Sequence, residues 1–229
     1  MRKLSKKSQY DIEDIKEEMA KLKKSVHLKV FSSQKIESDG TKICLSEDCI
    51  EFLDWLRIYE ENSKGLLTIE ELSIDDNPEL AKNYDINRVP TISFIDNSEQ
   101  EIIQYLAPPK GIEIRKFIQT IISFGGGSNE YEAIIKQNLD KIPTSTIRTM
   151  IDQICPFCPD AIVLSNLFAI ASEGKIRSII IDVMENRDLW QHYDSNRLPA
   201  IYINDQEPFV GSVDTEEILK GLIKGNSLV

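Results

Sequence analysis

The four cysteines of this 229-residue chain fall into two tight pairs, Cys44 with Cys49 and Cys155 with Cys158. Two thiols at such spacing can exchange disulfides, hold a metal or form a static crosslink. Cys155-Pro156-Phe157-Cys158 is a C-x-x-C, preceded by a β-rich run at 146–151 and followed by a helical pattern. At a helix start, unpaired N–H groups and the helix dipole favour an anion. A thiolate is such an anion, and thiol pKa values there fall to about 3.5–7.5 from about 8.5. Cys155 is therefore the candidate nucleophile and Cys158, one turn inside, the candidate resolving thiol. Two other readings stay open for the pair. A four-thiolate zinc site needs two C-x-x-C knuckles, whereas here the pairs lie 109 residues apart and one has that spacing. An inert disulfide is the other.

The elements that must position these thiols occur twice. Tyr84-Asp85-Ile86-Asn87-Arg88-Val89-Pro90-Thr91-Ile92 returns 109 residues later as Tyr193-Asp194-Ser195-Asn196-Arg197-Leu198-Pro199-Ala200-Ile201. The same offset takes Cys49 to Cys158 and Ser63-Lys64-Gly65 to Ser172-Glu173-Gly174. A tandem duplication explains this common register. Domains are expected at 1–124 and 129–229. Between them, Gly125-Gly126-Gly127-Ser128 reads either as a flexible linker or as a tight turn between packed helices.

In the second copy, helical patterns at 130–139, 156–172, 185–193 and 215–223 alternate with strand patterns at 146–151, 176–181, 200–203 and 208–211. Ala161, Leu164, Phe168 and Ala171 mark one apolar face of the helix after the cysteines. The first copy runs in parallel, with helices at 12–22, 50–61 and 112–124 and strands at 26–31, 66–72, 91–95 and 102–106. This order predicts an α/β fold of two tandem thioredoxin-fold units, each a central mixed sheet flanked by helices. Pro156 suits a first helical position. If Cys155 caps the helix, Pro159 cannot donate to its carbonyl, so a distorted first turn is expected. Pro199 opens a strand and reads either as cis, exposing backbone to an extended substrate, or as an ordinary trans proline.

Composition narrows the function. Lys and Arg number 27 against 38 Asp and Glu, a net charge of −11. That argues against a nucleic-acid binder and against electrostatic attachment to a membrane. Hydrophobic residues make up 41%, enough for a core. No run reaches the roughly 18 apolar residues of a membrane span. The basic start, Met1 to Lys7, has no apolar stretch after it, so no signal peptide is expected and the cytoplasm is the default location. A cysteine pair there is more often catalytic or metal-binding than a staple.

On the motif Cys155-Pro156-Phe157-Cys158-Pro159-Asp160-Ala161, the Asn-Arg-Val-Pro and Asn-Arg-Leu-Pro segments, the leading helix of each unit and the overall length, the chain resembles the protein disulfide oxidoreductases of thermophilic archaea and bacteria. The resemblance implies thiol–disulfide exchange on protein dithiol and disulfide substrates without a bound cofactor, and a thioredoxin reductase as electron donor. It also implies cis peptides at Pro90 and Pro199, so that Val89, Pro90, Leu198 and Pro199 become candidate substrate-binding residues.

The first unit departs from that pattern. The 109-residue offset places Ser46, not a cysteine, opposite Cys155, and Cys44-Leu45-Ser46-Glu47-Asp48-Cys49 is C-x4-C. Either a two-residue insertion leaves a working pair, or Ser46 has taken the helix N-cap with Glu47 and Asp48 as first-turn acids. In the second case Cys44 lies outside the helix, and the adjacent carboxylates oppose a thiolate. A polar loop at 32–43 has no counterpart in the second copy. The second unit is therefore expected to carry most of the exchange chemistry, with the first binding substrate, storing a disulfide, or acting through Cys44 and Cys49 as a slower second redox pair.

Other conspicuous side chains receive structural readings: His27 as a solvated or edge residue, Trp55 as packing, and Arg88 and Arg197 as ion-pair partners. His192 is assigned no role, and Trp190 could line a surface. Two rival functions remain. One is an electron relay resembling the tandem thioredoxin-fold module that feeds alkyl hydroperoxide reductases, although no Gly-rich dinucleotide fingerprint is present. The other is a non-catalytic chaperone or scaffold.

Overall fold

The structure, a computed structural model, describes residues 12–36, 42–44, 46–193, 196–204, 206–212 and 214–224, with the backbone alone described at 35–36 and 42–44. The basic start and Asp194-Ser195 lie outside it. In the first half, α1 (Ile12–Met19) leads to β1 (Val26–Ser32), then to a short hairpin of β2 (Gln34–Ile36) and β3 (Lys42–Cys44). There follow α2 (Glu47–Asn62), β4 (Leu67–Ser73), α3 (Pro78–Asn83), β5 (Thr91–Ile95), β6 (Glu101–Tyr105) and α4 (Glu113–Phe124). The second half repeats the order with α5 (Glu132–Asn138), β7 (Ser145–Ile151), α6 (Cys158–Ala171), β8 (Ile176–Asp182), α7 (Arg187–Tyr193), β9 (Ala200–Ile203), β10 (Phe209–Val210) and α8 (Thr215–Lys224).

Each half builds a four-stranded mixed sheet: β4 parallel to β1, then β5 and β6 antiparallel, and likewise β8, β7, β9 and β10. The two sheets are continuous. β6 pairs in parallel with β8, giving one eight-stranded sheet in the order β10-β9-β7-β8-β6-β5-β1-β4. Consequently β1, β4, β6, β7 and β8 all run the same way, and their C-terminal ends share one edge. Both cysteine pairs follow strands that end there, β1 and β7.

Alternation along the strands divides the core. Leu28 and Val30 face the large cluster under α1, α2, α4, α5, α6 and α8, while Phe31 faces a small cluster under α3. A second small cluster around Met150 and Ile181 lies under α7. Twelve of the fourteen residues of α6 are buried, among them Cys158 and Asn166. The one-faced pattern expected for this helix is thus exceeded, because α4 and α5 pack on it in addition to the sheet.

Buried polar groups along the seam are satisfied across it. Asn166 of α6 donates to Tyr105 Oη (2.7 Å) and Thr120 Oγ1 (3.1 Å) and accepts from Ser178 Oγ (2.8 Å). Arg177 of β8 pairs with Glu101 of β6. Arg88 donates to Asp188 (3.0 Å) and Asn186 (2.9 Å), which fits its reading as an ion-pair residue. The glycine run is a packed turn: Gly125 is buried, and its carbonyl accepts the N–H groups of Lys23 and Lys24 at 2.8 Å. A Cβ on Gly127 would lie 2.6 Å from the Ile122 carbonyl oxygen. Among the described residues, no helix is long and apolar enough to cross a membrane.

Candidate redox site

β7 ends at Ile151, and the chain turns tightly to reach the cysteines. Cys155 N–H donates to the Asp152 carbonyl (3.0 Å) and Ile154 N–H to Asp152 Oδ1 (3.0 Å). Cys155 and Cys158 form a disulfide with a Cα–Cα separation of 5.5 Å. Helix α6 begins at Cys158 with Phe157 as its N-cap, two residues later than the sequence pattern suggests. The reason is Pro159. Starting at Cys158 places it in the first turn, where a missing N–H leaves no intrahelical bond unmade, so the expected distortion is avoided. Cys155 lies just outside the helix and is 8% exposed, more covered than a thiol at an open helix end; Cys158 is fully buried. The exposed side chains are their neighbours, Ile154 at 88% and Phe157 at 53%.

The Leu198–Pro199 peptide is cis, as is Val89–Pro90. Met150 is the register partner of Ala200, so Pro199 lies beside the end of β7, on the edge where Cys155 follows. In the first unit Phe31 pairs with Thr91, which sets Pro90 beside the end of β1 in the same way. Leu198, Val89 and Pro90 are half-buried and Pro199 is buried.

The first unit's thiols are arranged differently. Ser46 is the N-cap of α2, and its Oγ accepts the Cys49 N–H at 3.4 Å. Cys49 is buried in the first turn of that helix. Cys44 lies outside the helix, on β3 opposite Gln34, so the loop expected at 32–43 contains a hairpin; the Cys44 side chain is outside the described atoms. Glu47 and Asp48 do open the helix, but the Asp48 carboxylate is held by Lys110 Nζ at 2.6 Å, which offsets its charge toward Cys49. Among the remaining conspicuous residues, His27 meets Glu70 at 3.2 Å on an interior strand rather than an edge. Trp55 packs on Phe52 and Tyr59, and Trp190, on α7, packs half-buried against the cluster around Met150 and Ile181. His192 stacks edge-on against Tyr193, and Arg197 is exposed.

Two carboxyl groups gather at the seam by the end of β7. Asp182 ends β8 as the register partner of Ile151, is buried, and accepts from Gln153 Nε2 (3.2 Å) and the Met184 N–H (2.8 Å). Glu113, the first residue of α4, is 2% exposed, and its Oε1 has no hydrogen-bond partner. Burial, and then the negative charges of Asp182 and Asp152, push the Glu113 carboxyl up to about 7, against the opposing Lys110 N–H. Sequence reasoning missed both acids: Glu113 reads as an ordinary first-turn acid of α4, and Asp182 as the polar end of a strand. The first unit has Ser73 in the place of Asp182, paired with Ser32.

Residues 145–224, from the start of β7 to the end of α8, match the thioredoxin domain family. Over almost the whole chain the structure is similar to a protein disulfide oxidoreductase from Aeropyrum pernix, with a TM-score of 0.81, 23% identity, and coverage of 96% of this chain and 94% of that one. The fold is the thioredoxin fold, twice. The N-terminal domain of the alkylhydroperoxide reductase AhpF from Enterococcus faecalis is similar at a TM-score of 0.76 and 21% identity, over 92% of this chain and 97% of that one. Sso1120 from Sulfolobus solfataricus follows at 0.57 and 15%, over 87% and 99%. No curated protein matches the chain by sequence.

Proposed function

We propose that this protein is a thiol–disulfide oxidoreductase acting on protein substrates through Cys155 and Cys158. The observation that carries the reading is a C-x-x-C disulfide at the start of α6, on the strand-end edge beside Pro199, within a thioredoxin fold. In reduction, the Cys155 thiolate attacks a substrate disulfide; a Cys155–substrate bond forms, and one substrate sulfur leaves as thiolate. The Cys158 thiolate then attacks Cys155, releasing the second substrate thiolate and closing the Cys155–Cys158 disulfide. The substrate gains two electrons and the enzyme loses two. Run backwards, the oxidised pair takes two electrons from a substrate dithiol. The pair is re-reduced by a dithiol donor, for which a thioredoxin reductase is our candidate.

In this reading the backbone at Leu198 and Pro199 receives the substrate chain beside Cys155, and Val89 and Pro90 do so in the first unit. The chain divides into units at 1–124 and 129–229 around the turn at 125–128, and works in the cytoplasm. Cys44 and Cys49 form a slower second redox pair, because the Ser46-capped helix start puts a hydroxyl where a thiolate would be most favoured. A redox titration against glutathione and dithiothreitol, read by mass spectrometry, tests the proposal. Cys155–Cys158 should titrate as one two-electron couple, its occupancy changing tenfold for roughly 30 mV. A pair that stays oxidised throughout would overturn the catalytic reading.

The likeness to the alkylhydroperoxide reductase domain favours a second reading, an electron relay to a peroxidase. A relay would reduce a peroxidase disulfide rapidly and insulin poorly; a general oxidoreductase would reduce insulin readily.

A further inference from the structure

The loop at 106–112 belongs to the first unit by sequence and to the second by its hydrogen bonds. Leu106 N–H donates to the Ile180 carbonyl (2.9 Å), and Asn186 Nδ2 donates to the Leu106 carbonyl (2.7 Å). Lys110 Nζ donates to Glu185 Oε1 at 2.8 Å while also holding Asp48. Pro108 and Pro109 are buried, and the loop hands over directly to Glu113 beside Asp182. Fixed in this way, it presents Ile112 to solvent at 50% exposure.

Ile112 is not isolated. Six large hydrophobic side chains are exposed among the described residues; Val210 ends β10 at the strand-end edge that carries the disulfide, and four more follow the central strands that end there. Ile154 and Phe157 flank Cys155 after β7, Met184 (51%) follows β8, and Ile112 follows β6. Apolar side chains clustered at a reactive site mark a surface that is covered in use. The strands they follow are neighbours in the order β7-β8-β6, whose ends span roughly 10 Å at about 4.8 Å per strand. A small disulfide engages the site at its sulfur. An extended polypeptide covers that span with about three residues at ~3.3 Å each.

We propose that Ile112, supplied by the first unit and positioned by Lys110, is a specificity contact for the Cys155–Cys158 site, meeting an apolar side chain of an extended polypeptide substrate. This rests on the reading of the pair as a protein thiol–disulfide oxidoreductase. The test compares insulin with glutathione disulfide as substrates. Ile112→Ser should raise KM for insulin about fivefold with kcat within about twofold, and move KM for glutathione disulfide less than about twofold. Lys110→Met should shift the insulin KM in the same direction, and Ile112→Leu should restore it. Ile12→Ser, which trims a comparably exposed side chain on α1, should alter neither substrate's KM. An unchanged insulin KM, or equal changes for both substrates, would overturn the inference. A parent protein that reduces neither substrate would instead overturn the proposed function.

Discussion

The hydroxyl of Ser46 caps α2 by accepting the Cys49 N–H at 3.4 Å, where the second unit has Cys155 just outside its helix and disulfide-bonded to Cys158. A hydroxyl in place of a thiol at the helix start removes the position where the dipole most favours a thiolate. Cys155→Ser should therefore lower insulin reduction by about 100-fold or more, and Cys44→Ser by less than about threefold. Steady-state turbidity assays on the two variants make the comparison, and equal losses would sink the asymmetry.

Glu113 links the site to pH. Its folded carboxyl titrates at about 7 against 4.5 as the ordinary value, so between these pH values the folded state holds a proton that the unfolded state has lost. Stability should fall as pH rises through that window, by about 3 kcal/mol in full, and level off above it. Glu113→Gln keeps the shape without the charge. Urea unfolding at pH 8 should find the variant more stable than the parent by up to about 3 kcal/mol, with the gap closing toward pH 4.5. A gap that is constant with pH would remove Glu113 as its source.

Asn166 ties the redox helix to both halves of the sheet through Tyr105, Thr120 and Ser178. Asn166→Leu removes one bond each from Tyr105 and Thr120 and takes the Asn166 acceptor from the buried Ser178 hydroxyl. The expected loss is about 2–3 kcal/mol by urea denaturation, and a neutral result would mean that the network adds nothing to the seam.

The turn at 125–128 gives a prediction of sign. In a flexible linker, Gly→Ala stabilises by about 0.4–1 kcal/mol through the unfolded chain. Here the added methyl on Gly127 meets the Ile122 backbone, so Gly127→Ala should destabilise by about 1–3 kcal/mol. Thermal unfolding of the variant decides between the two signs.

These relationships differ in how far the sequence reveals them. The runs at 91–95 and 200–203 are mostly β-branched or apolar and each follows a proline, so their strands are legible to the residue. The start of α6 is displaced because a first-turn proline is tolerated at more than one position, and hydrophobic spacing does not choose between them. Gln34-Lys35-Ile36 is too short and polar to mark a strand, which concealed the hairpin carrying Cys44. The β6–β8 pairing has no periodic signature, because alternation records that a strand has a buried face and not which strand lies beside it. Lys110 and Glu113 were hidden for the same reason: their significance comes from Asp48, Asp182 and Glu185, distant in sequence and brought together by that pairing. The cysteines were legible because three-residue spacing at a helix start is local.

If Cys155 attacks and Cys158 resolves, a mixed disulfide formed by the Cys158→Ser variant with a protein substrate has no intramolecular route to release. Incubating that variant, reduced beforehand, with insulin and mapping the adducts by peptide mass spectrometry tests this order of events most directly. One insulin chain should accumulate on Cys155, and no such adduct should form when Cys155 is also replaced by serine. Absence of the Cys155 adduct, or its formation mainly on Cys44 or Cys49, would contradict the assignment.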